Sequence, residues 1–173
     1  MNWTELLKSE IEYTFGVTDG LLDLVDDNHL DWKPSTGSNW MTTGQLLMHL
    51  AGGCGTAFRG FITGEWGPPE GGETSEVPPE EMLPPAESLP TVASVAEARK
   101  LLAKDRQLAL DMLAKCNEAK FAEIATAPWD PTEKILGYHL LQMVGHLNQH
   151  KGQLFYYLKL QGKPVSTANL WGM

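Results

Sequence analysis

The sequence predicts an all-α fold, a four-helix bundle with a long crossover between its second and third helices, and three observations carry that prediction. Four segments open with a capping side chain followed three residues later by Glu or Gln, a pattern in which side chain and backbone satisfy each other at a helix start. They are Asn2 with Glu5, Thr42 with Gln45, Ser94 with Glu97, and Asp130 with Glu133. Each precedes an apolar run of helical period. Between the second and third runs, residues 65–93 hold seven of the chain's 11 prolines and seven glutamates, a mixture that resists both helix and strand.

The first helix is expected over residues 2–26, with Trp3, Leu7, Ile11, Phe15, Leu22 and Val25 recurring at helical spacing as its core stripe. The second is expected over 42–64 and ends at Gly64, because glycine accepts the left-handed cap conformation. The third, over 94–120, carries Ala98, Leu101, Leu102, Leu108, Met112 and Leu113. The fourth is expected over 131–161, opened by Pro131, whose missing N–H costs nothing at a first helical position, and closed by Gly162 and Pro164. Extended at about 3.3 Å per residue, the 65–93 segment can travel the ~30 Å of a 20-residue helix, so the second and third helices can lie parallel. All of this forms one domain, since 173 residues bury a sizeable core and no second set of core elements follows the long connection.

Thirteen basic against 22 acidic residues give a net charge of -9, a field that repels nucleic acid and anionic lipid. No apolar run approaches the ~20 residues of a membrane span, and the start Met1-Asn2-Trp3-Thr4-Glu5 has neither the basic nor the apolar region of a signal peptide, so a cytoplasmic location is expected. Cys54 and Cys116 lack the paired spacing of a zinc knuckle or redox dithiol, and read as buried free thiols.

The chemistry concentrates in histidine. His146 and His150, four residues apart in the fourth helix, stack two imidazoles on one face about 6 Å apart, a spacing that lets both bind one metal ion. His49 stands in Leu46-Leu47-Met48-His49-Leu50-Ala51 of the second helix, among residues that face the core. Taken alone it reads as a hydrogen-bonded core histidine, and it joins the pair only if the second and fourth helices touch, as facing helices do around metal sites in bundles.

The segment Asn39-Trp40-Met41-Thr42-Thr43-Gly44-Gln45-Leu46-Leu47-Met48-His49-Leu50 resembles the second-helix motif of the DinB-like (DinB/YfiT) superfamily, and His146-x-x-x-His150-Lys151-Gly152-Gln153-Leu154 resembles its fourth-helix motif. The resemblance spans nearly the whole chain. It implies an up-down-down-up bundle, a three-histidine site of His49, His146 and His150 holding one divalent transition metal per chain, nickel or zinc, and a homodimer. Three imidazoles suit Zn, Ni, Cu or Fe better than Mg or Ca. Around them, Gln142 and Gln153 lie one turn to either side of the pair, and Asp105 interrupts the apolar stripe of the third helix where a carboxylate can meet an imidazole N–H. His139 lies about 10 Å of helix rise before His146 and suits a core or pocket role better than that of a fourth ligand.

Three neutral ligands leave a coordination position open, so the expected function is a metal-dependent enzyme acting on a small molecule, by hydrolysis or by transfer of a low-molecular-weight thiol. Two readings of other classes compete with it: a non-catalytic, stress-associated metal-binding protein, and a helical interaction module without metal.

Overall fold

A computed structural model of the chain describes residues 2–66 and 84–173. It is mostly helical, with one small sheet. The elements are α1 (Trp3–Leu22), α2 (Thr43–Leu50), α3 (Cys54–Thr63), α4 (Val95–Leu113), β1 (Ile124–Ala127), β2 (Asp130–Ile135), α5 (Leu136–Leu160) and α6 (Thr167–Trp171). Most of the 65–93 connection lies outside the described residues. Its end, from Pro84, returns along α2, where Gln45 donates through Nε2 to the carbonyls of Glu87 and Leu89.

The first two predicted starts carry the reciprocal caps expected of them, and the third carries half of one. Asn2 accepts from the Glu5 N–H while Glu5 accepts from the Asn2 N–H, and Thr42 and Gln45 do the same. At α4, Ser94 caps the Glu97 N–H, but the Glu97 carboxylate reaches back to Ala93 rather than Ser94. The fourth start is a correction. Asp130 and Pro131 open β2, which pairs antiparallel with β1 (Ala127 opposite Asp130, Ile124 opposite Ile135) around a two-residue connection of Pro128 and Trp129. Asp130 spends its side chain on the Thr132 N–H, and α5 begins five residues later than expected. The helix signal was local, whereas the pairing that overrides it comes from another strand.

The second helix is also corrected, for it breaks at Ala51-Gly52-Gly53 into α2 and α3. The ends of α1 and α4 fall at Leu22 and Leu113, short of the 26 and 120 read from the sequence.

Directions follow from named contacts. The Trp3 ring covers Gly137 and Lys151 Nζ sits 5.7 Å from the Tyr13 ring centre, so α1 and α5 run parallel. Glu118, just past α4, accepts from the N–H groups of Trp3 and Thr4, while Arg99 near the start of α4 meets Asp19 and Asp23 at the end of α1, so those helices are antiparallel. Along α2 and α3, Gly44 meets Val92 and Gly55 meets Asp105, a parallel run with α4. Against α5 the order reverses, Thr43 meeting Gln161 and Phe61 meeting His139. The core between them is aliphatic and aromatic, with Leu7, Ile11, Phe58, Leu46, Leu140, Leu154 and Leu158 wholly enclosed. Both cysteines are free, and burial raises the Cys54 thiol well above its ordinary range. No described helix is long and apolar enough to cross a membrane.

Candidate metal centre and its two chambers

The antiparallel contact of α2 with α5 brings the three histidines together. His146 Nε2 lies 3.2 Å from His49 Nε2 and 3.1 Å from His150 Nε2. All three ligand atoms fall within 4.8 Å of one another. Burial, reinforced by the neighbouring His150, lowers His49 and His146 to about 4, so both rings are neutral at pH 7 and present lone pairs.

Gln153 fixes the third ring. Its Oε1 is 2.9 Å from His150 Nδ1 and its Nε2 donates to Tyr157 Oη at 3.2 Å, which in turn donates to the Met41 carbonyl at 2.9 Å. An amide oxygen only accepts, so Nδ1 carries the His150 proton and Nε2 is left free. The chain ends one residue before the Thr42 cap of α2, tying the helix that carries His49 to the helix that carries His150.

Three imidazole nitrogens pointed at one another, those of His49 and His146 unprotonated, form a cluster that suits a shared cation. Nitrogen ligands about 2.0–2.1 Å from a tetrahedral zinc lie about 3.3 Å apart, and the separations of 3.2 and 3.1 Å are close to that edge. The donor set therefore fits a single divalent ion.

The other candidates fall elsewhere. Asp105 is 5 % exposed and meets no imidazole. Its carboxylate instead accepts from the N–H groups of Cys54 (3.1 Å), Gly55 (2.8 Å) and Thr56 (3.1 Å), capping α3 from a different helix. Burial raises Asp105 to about 6 although these three donors pull it down. The break it secures is part of the site: a Cβ on Gly53 would stand 3.6 Å from the His146 ring and 3.3 Å from the His49 carbonyl. His139 is buried, stacks on Phe61 at 4.6 Å and donates through Nε2 to the Ala125 carbonyl, which makes it a wall of the pocket and a tether for β1. Gln142 is exposed and lines a cavity beside His146.

Two cavities adjoin the triad, of about 350 and 340 Å³, and His146, Trp129 and Met143 border both. The first is polar, with Asp130, Lys134, Gln142 and Gln149 on its wall. Thr132 and Lys134 hold Asp130 down to about 2, so its carboxylate is ionised at 3.3 Å from Lys134 Nζ. The second is floored by Gly52, Gly53 and Ala57 and walled by Trp66 and Trp129. Sequence reasoning missed Trp66, Trp129, Phe61 and Lys134, which come together only through the hairpin. The Gly52-Gly53 pair was the one local signal of the break.

Comparison with known proteins agrees with the fold. A search of curated proteins finds no match, but a crystal structure of a DinB-like protein from Bacillus subtilis superposes with a TM-score of 0.64 at 18% identity, covering 92% of this chain and 94% of that one. At that identity the likeness speaks for the fold. The profile of the DinB superfamily matches residues 10–154, most of the sequence, and the chain belongs to the DinB superfamily.

Proposed function

We propose that this chain is a metal-dependent enzyme that binds one zinc or nickel ion through His49, His146 and His150 and acts on a small molecule, by thiol transfer or by hydrolysis. The observation that carries the reading is the convergence of three Nε2 atoms, one of them on His146, a residue that also borders two cavities. A purely structural or storage site needs no such space beside it, which favours an enzyme over a sequestering protein.

A divalent ion with three neutral ligands keeps its full charge and an open position, and so acidifies a water or thiol that binds there. The protein's own residues prepare that position. Burial keeps His49 and His146 unprotonated, Gln153 aims His150, and the Asp105 cap holds the α2–α3 break against the His146 ring. We read the helix directions as an up-down-down-up four-helix bundle with residues 65–93 as its crossover, α2 and α3 counting as one broken helix. The net charge of -9 supports a small-molecule partner over nucleic acid. Family resemblance supports a homodimer.

The test is metal content by mass spectrometry on untagged protein, with His146→Ala and His150→Ala as controls. About one zinc or nickel per chain, lost in both variants, is the expected result. Absence of metal after reconstitution would refute the reading.

A further inference from the structure

We propose that the two cavities are separate subsites for one amphipathic substrate, and that the second, a slot floored by Gly52, Gly53 and Ala57 and walled on one side by the touching indoles of Trp66 and Trp129, receives its apolar substituent, a group the size of an aromatic ring or short alkyl chain. This rests on the metal-centre reading above for the position of the reacting atom, and on His146 being the triad residue that borders both cavities.

The slot has the composition of an apolar subsite. Among its described lining residues none is charged, and its floor of Gly52, Gly53 and Ala57 leaves room for a flat group against the backbone. The indoles of Trp66 and Trp129 stand 5.4 Å apart between centres at 83°, edge to face, so a ring entering beside them meets both a face and an edge. Their positions are built in. Trp66 lies directly over Gly60 of α3, where any Cβ would overlap its ring, and Phe61 packs edge-on against it at 4.8 Å. Trp129 is carried at the tip of the β1–β2 hairpin, and β1 is held to α5 by the bond from His139 to Ala125.

The neighbouring chamber has the opposite character. Its charged wall is the Asp130–Lys134 pair, 3.3 Å apart, whose charges cancel. With Gln142 and Gln149 beside it, this chamber suits a polar head of no net charge, hydroxyl, amide or zwitterion. Trp129 and Met143 form the partition, so a molecule that bridges the two chambers passes His146 at its middle.

The experiment uses zinc-loaded protein, its metal content measured first, titrated calorimetrically with phenylmethanethiol and with 2-mercaptoethanol, which share the thiol and differ in the apolar group. Burying the ring in the slot is expected to favour phenylmethanethiol by about tenfold or more. In Trp66→Ala, and in Gly60→Ala, which displaces the Trp66 ring, that ratio falls to about one. Equal affinities in the native protein, or a preference that survives in Trp66→Ala, would overturn the slot. Should the protein take up no metal, the metal-centre reading fails, and the slot is then judged with benzyl alcohol: it stands if Trp66→Ala weakens binding by about tenfold, and falls if native protein and variant bind alike.

Discussion

The helix that carries His49 and the helix that follows it start in opposite ways. At α2, Thr42 and Gln45 cap each other within four residues, and everything the start needs is in the local sequence. Three residues after α2 ends, α3 starts at Gly53-Cys54 with no side-chain cap of its own, and takes one from Asp105, about fifty residues away on α4. The α3 start borders the His146 ring through Gly53, and the α2 start is linked to His150 through Met41, Tyr157 and Gln153. A helix end specified locally is robust to changes elsewhere, whereas one specified by a partner helix ties the shape of the site to the packing of the whole fold.

The largest expected effect tests that dependence. Asp105→Ala removes the acceptor for three backbone donors and leaves them in a buried place, a loss of about 3 kcal/mol by the cost of unsatisfied buried groups. Denaturant unfolding of the metal-free protein measures it. A loss below about 1 kcal/mol would mean that α3 holds its start without help and that the contrast with α2 is false. No other residue type replaces Asp105 easily, since an Asn would present one amide nitrogen to donors.

Acid separates the two starts further, because Asp105 titrates and the Thr42–Gln45 pair does not. Asp105 is raised to about 6, so its contribution is fully present below the ordinary carboxylate range and is lost as pH rises through 6. His49 and His146 are lowered to about 4, so their contribution is present above about 6.5 and is lost as pH falls towards 4. Two imidazoles outweigh one carboxylate, and metal-free protein is expected to lose stability on acidification from pH 7 to 4. In Asp105→Asn the opposing carboxylate is gone and the loss steepens between pH 6 and 4. Unfolding free energy followed against pH checks both statements, and a native protein that gains stability towards pH 4 would contradict the histidine assignment.

The same division explains what was legible in the sequence. The starts of α1, α2 and α4 were readable because Asn2, Thr42 and Ser94 act on residues three positions away. So was the pairing of His146 with His150, which helix geometry alone brings together. Asp130, Pro131 and Glu133 carry an equally good helix signal and nonetheless form a strand, because β1 supplies a pairing partner that no window around Pro131 contains. The apolar period of Leu46, Leu47, Leu50, Cys54 and Phe58 runs through Gly52-Gly53, so the stripe concealed the break that Asp105 stabilises. Asp105 itself was rightly suspected of facing inward, but its partner was a helix end and not an imidazole. The slot was invisible for a similar reason. Trp66 and Trp129 are 63 positions apart in sequence and meet only on the folded surface of α3 and α5.

The smallest effect is the local one. Thr42→Ala deletes the hydroxyl that accepts from the Gln45 N–H at 3.2 Å but keeps the backbone N–H of residue 42 that donates to Gln45 Oε1 at 2.8 Å. Cap substitutions of this kind cost about 1 kcal/mol, and the surroundings of α2 argue for no more. Gln45 keeps its two bonds to the carbonyls of Glu87 and Leu89, the Tyr157 hydroxyl still donates to the Met41 carbonyl, and Leu46, Leu47 and Leu50 remain buried. His49, on the last turn of α2, is held by that packing and not by the first turn. Thr42→Ala is therefore expected to lower stability by about a third as much as Asp105→Ala while metal affinity stays within about twofold of native. Competition with a chromogenic chelator reads the affinity. A tenfold weakening of metal binding in Thr42→Ala would show that the first turn of α2, and not the Asp105 cap beyond its end, sets where His49 points.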